Sequence, residues 1–106
     1  MPKDDVIFDA VGAVDSLSSQ IGLSRVYCAH EKISQDLINI QCNLQDIGSV
    51  IATPPCSATP EQLSRVTFDD LHVTVLEQKI DQMTTELPPL TQFILPSGNF
   101  PLIIYL

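Results

Sequence analysis

Seven residues have side chains that could serve a site: Lys3, Asp9, Asp15, Cys28, His30, Cys42 and Phe93. Lys3 precedes Asp4 and Asp5; its ammonium can meet a phosphate as a point charge, or the three can form a solvated helix start whose acids favour the helix dipole. Asp9 and Asp15 lie near an apolar stripe, where a carboxylate must be paired or wet. They read either as members of an ion pair across an interface or as part of a solvated face. Phe93 sits in an apolar loop between proline-rich turns, where an aromatic ring can line a ligand cavity or pack against neighbouring helices. Cys28 and His30 are two potential metal ligands without further partners, so the reading for them is structural. Cys42 flanks an apolar stripe and reads as a packed thiol. A glycine-rich phosphate loop, a Cys-x-x-Cys pair and a His-x-x-x-His pair are all absent, so these residues alone define no catalytic centre.

The elements that must position these residues are helices. Ile33, Leu37, Ile40, Leu44, Ile47 and Ile51 recur at steps of four and three, which places them on one stripe of a helix. Val73, Leu76, Ile80, Met83 and Leu87 repeat the pattern and predict a helix from about Asp70 to Leu87, stopped by Pro88 and Pro89. Ile7, Val11, Val14, Leu17 and Ile21 predict a further helix near the N-terminus. Gly12 and Gly22 weaken it by about 1 kcal/mol each relative to Ala and suggest close backbone packing. Residues 53–60 carry three prolines among turn formers and predict an irregular connection. After Leu90 the helical period is lost, and Phe93 to Gly98 reads as an extended apolar segment entering a turn. The tail from Asn99 to Leu106 is apolar and β-prone, an aggregation liability if uncovered. The expected fold class is therefore all-α: about three helices of an up-and-down bundle over residues 1–98, then an irregular apolar tail at 99–106.

Composition narrows the partners. With 5 Lys plus Arg against 13 Asp plus Glu, the formal charge of −8 gives nucleic acid and anionic lipid no electrostatic attraction. No uninterrupted apolar run approaches the roughly 20 residues that span a bilayer, so a membrane partner is not expected. Three cysteines, an odd number, without a recognisable secretory signal point to reduced thiols inside the cell. The first residues lack both a signal peptide's apolar core and a transit peptide's Arg-rich character, so no targeting segment is expected in this chain.

Three segments, in order and over about nine tenths of the chain, resemble the ATP:cob(I)alamin adenosyltransferases of propanediol-utilising bacteria and animal mitochondria. Pro2-Lys3-Asp4-Asp5, with Phe8 to Gly12 and Val14 to Leu17, is similar to the family's lysine motif and its EAVGTVDEL helix. Ile40-Gln41 with Leu44, Asp46, Gly48, Ala52, Thr53 and Pro54 resembles its IQ..L.D.GS.LATP helix. Leu87 to Thr91 running into Phe93 to Gly98 resembles LPPLT.FILPSGG, the most specific of the three.

The resemblance implies a homotrimer of five-helix bundles that binds ATP at each subunit interface and transfers its 5′-deoxyadenosyl group to cob(I)alamin. ATP, Mg²⁺ and cobalamin are the implied ligands. It implies that Lys3 contacts the ATP phosphates, that Phe93 lies beside the corrin, and that Asp15 pairs with an arginine across the subunit interface. Asp9 stands where the family usually has glutamate, and Ser16 replaces the common acid of DEL. The Thr-Lys-Thr-Gly-Asp type loop and the RRAER motif have no counterpart here, which leads to the expectation of an incomplete enzyme with little or no activity. The rival expectation is a non-catalytic helical module that docks on full-length subunits. The implied compartment is the mitochondrial matrix for an animal source and the cytoplasm for a bacterial one.

Overall fold

The computed structural model describes residues 6–53, 59–65 and 67–93. Four α-helices lie among them: α1 (Val6–Val26), α2 (Glu31–Ile51), α3 (Pro60–Arg65) and α4 (Leu71–Thr85). The described residues contain no strand, and the fold class is all-α. The apolar segment 94–98 and the tail 99–106 fall outside the described residues. The chain divides into two units, Met1–His72 and Val73–Leu106.

In the first unit α1 and α2 pack on one another. Gly48, late in α2, faces Val14, and Gln41, in its middle, reaches Ser18 of α1, so the pairing is antiparallel, as the four-residue connection 27–30 requires. Asp9 in the first turn of α1 and Arg25 in its last are each placed favourably for the helix dipole. The helix tightens as it ends: the Tyr27 and Cys28 amides donate three residues back, to the Ser24 and Arg25 carbonyls, at 3.2 Å each. α2 starts at an extended His30 (φ −95°, ψ 110°) whose Nδ1 accepts the Ile33 amide proton at 3.3 Å.

The stripe read from α2 is the face it turns to α1: Leu37, Ile40, Leu44, Ile47 and Ile51 are half-buried, and only Ile33 is exposed. On α1 the half-buried line is Ile7, Val11, Val14, Ser18, Ile21, Gly22 and Arg25, so Leu17 lies off it, 49% exposed. Ser18 takes its place because steps of four from Val14, rather than three, continue the face turned to α2. The packed-thiol reading of Cys42 fails for the same reason. Residues 37, 40, 41, 44 and 48 point inward, and Cys42 is exposed on the outer side.

No uninterrupted apolar run of membrane-spanning length is present, yet α1 has the length and mean apolarity of a membrane span. It is 21 residues long with an 18-residue window of mean hydropathy 1.2, long and apolar enough by those two measures to cross a bilayer. Its chemistry opposes that reading: Asp15 lies at mid-helix, where a carboxylate in a membrane costs about 2.5–3.5 kcal/mol. Its inner face is also engaged by α2.

α3 was not expected. Thr59 and Gln62 cap it reciprocally: the Thr59 amide donates to Gln62 Oε1 at 2.9 Å, and the Gln62 amide donates to Thr59 Oγ1 at 3.2 Å. Pro60 between them occupies the first helical position, where a missing N–H costs nothing. α4 begins where Asp69 Oδ1 accepts the Leu71 amide proton at 2.9 Å, with the rings of Phe68 and His72 5.3 Å apart. Its last turn tightens through bonds from the Glu86 and Leu87 amides to the Met83 and Thr84 carbonyls, before Pro88 and Pro89. The α4 stripe is exposed at Val73, Leu76, Ile80, Met83 and Leu87.

Candidate functional site

The interface between α1 and α2 is built around Gln41. Its Nε2 donates to the Ser18 carbonyl at 3.0 Å, and its Oε1 accepts from Arg25 Nη1 at 3.0 Å. The Ser18 oxygen sits one helical turn before Gly22, and a Cβ on Gly22 would stand 3.3 Å from the same Nε2. The missing side chain at Gly22 is what lets the amide reach the α1 backbone. Close packing at Gly22 is thus as its sequence position suggests. Gly12 is different, because a Cβ there would meet nothing within 4 Å. Among the described residues the buried Arg25 Nε has no hydrogen-bond partner, while Arg25 Nη1 bonds Gln41.

Beyond Gln41, towards the start of α1, the two helices leave a groove of about 240 Å³ lined by Val11, Val14, Asp15 and Ser18 of α1 and by Leu44, Gln45, Gly48, Ser49 and Ala52 of α2. Binding pockets for small organic molecules run from about 300 to 1,000 Å³. A groove of this size suits side chains of a packed neighbour better than a nucleotide or a corrin. Its lining is half polar in character, with the Asp15 carboxylate on its rim and exposed.

The described sequence-derived site residues lie on different elements. Lys3 lies outside the described residues. Asp9 is exposed on α1, six positions before Asp15, and does not line the groove. Phe93 follows α4 in non-helical chain and is 84% exposed. Cys28 donates its S–H to the His30 carbonyl at 3.4 Å while the His30 ring caps α2, which gives both a structural role. No three of His, Cys, Asp or Glu are placed to hold a metal ion among the described residues. Arg25 was not singled out from the sequence, and Gln41 was noted only as part of a motif. The available signal was Gln41's position on the inner face of α2, opposite a glycine.

Comparison with known proteins places the sequence in a family. Residues 1–102 match the sequence model of the cobalamin adenosyltransferase family. The chain belongs to that family. It is 50% identical over 100 residues to the corrinoid adenosyltransferase MMAB of Homo sapiens, an alignment covering 92% of this chain and 40% of the human protein. The corrinoid adenosyltransferase of Bacillus subtilis is 33% identical over 101 residues, covering 92% of this chain and 49% of the relative. That of Citrobacter freundii is 31% identical over 97 residues, covering 92% and 53%. The chain thus spans about half or less of the length of these relatives. As a family member, it places the IQ motif at the α1–α2 contact, and Phe93 in the segment after α4.

Proposed function

We propose that this chain supplies part of a corrinoid adenosyltransferase, which moves the 5′-deoxyadenosyl group of ATP to cob(I)alamin. The observation that carries the reading is the match of residues 1–102 to the family. In the reaction the cob(I)alamin cobalt, as a two-electron nucleophile, bonds to the ribose C5′; the C5′–O bond breaks, and triphosphate leaves with that electron pair. Triphosphate carries its charge best when cations meet it, which is the part given to Lys3 and to a Mg²⁺ held mainly by the phosphates themselves. Phe93 has the part of an apolar wall beside the corrin, consistent with its 84% exposed ring. Asp15, exposed on the rim of the α1–α2 groove, is given an arginine of a neighbouring subunit in a homotrimer, and Asp9 a place on the same interface.

The 106 residues alone turn over little. No residue of α1, α2 or α4 is buried, and a site that must exclude water from a reduced cobalt needs more cover than these faces give. Two measurements test the reading. Anaerobic incubation of the purified chain with ATP, Mg²⁺ and cob(I)alamin is expected to give little or no adenosylcobalamin absorbance; rapid turnover would defeat the claim of incompleteness. A chimera carrying residues 1–98 in place of the matching stretch of the human relative is expected to make adenosylcobalamin. A folded but inactive chimera would count against the family activity for these residues.

The exposed α4 stripe supports a second reading, a non-catalytic module that docks on full-length subunits. Co-purification of the tagged chain with intact enzyme would favour it; a lone, stable monomer would exclude it. Identities of 50, 48 and 46% to the animal relatives, against 33 and 31% to the bacterial ones, favour the mitochondrial matrix as the compartment.

A further inference from the structure

We draw no further inference here: the strongest candidate, the small groove between α1 and α2 lined by Val14, Asp15, Ser18, Gly48 and Ser49, belongs to the site already described, and nothing in the structure shows what covers it.

Discussion

Replacing Gln41 with alanine removes two polar links between α1 and α2 at once. One is an amide donating to the Ser18 carbonyl at 3.0 Å, a neutral bond worth about 1 kcal/mol net. The other accepts from a guanidinium at 3.0 Å, and bonds to charged groups are worth about 1.5–3 kcal/mol. Both are only part-buried, so water recovers some of the loss, and the expected cost is about 2 kcal/mol. For a chain of this size, with a urea dependence of about 1.3 kcal/mol per M, the unfolding midpoint should fall by about 1.5 M. Gln41→Glu separates the two bonds, because the carboxylate keeps an acceptor for Arg25 and loses the donor to Ser18. It should cost about half as much as alanine. A double-mutant cycle with Arg25→Ala should return a coupling of about 1 kcal/mol. A midpoint change below about 0.3 M for Gln41→Ala, together with zero coupling, would show that apolar contact alone sets the register of the two helices.

The two glycines of α1 should respond in opposite ways to alanine, as read by urea denaturation. Gly12→Ala should stabilise by about 0.5–1 kcal/mol, since open space surrounds the added Cβ. Gly22→Ala should lose that gain, because its Cβ would press on a Gln41 amide already fixed by two bonds; equal stabilisation at both sites would refute the packing argument. Phe93→Ala should leave stability within about 0.5 kcal/mol while lowering adenosylcobalamin formation by the active chimera. Cys42→Ser should likewise be neutral within about 0.5 kcal/mol, and a larger loss would restore the packed-thiol reading.

The long helices were legible because their apolar residues repeat near 3.6, and α2 turned the predicted stripe towards its neighbour. The stripe on α1 drifted at Leu17, where a polar Ser18 continues the inner face; periodicity ranks residues by hydropathy and overlooks a small residue that lets helices approach. α3 was missed although Thr59-Pro60-Glu61-Gln62 carries a reciprocal capping pair with proline at the first helical position. The surrounding prolines drew attention to the turn and away from the cap. The proposed roles of Lys3, Asp15 and Phe93 come only from resemblance. Lys3, Asp15 and Phe93 lie far apart in sequence, and nothing in their spacing says that they serve one reaction. Gln41 was visible as a motif letter, but its partners depend on the antiparallel register, which no single helix encodes.

The pairing of α1 with α2 has a consequence for biosynthesis. Its polar and apolar contacts join residues within the first 53 positions, most of them separated by a few tens of residues. Short separations of this kind close quickly, and a ribosome adds about 5–20 residues per second. The N-terminal hairpin can therefore assemble on the nascent chain before Leu71–Thr85 has been made.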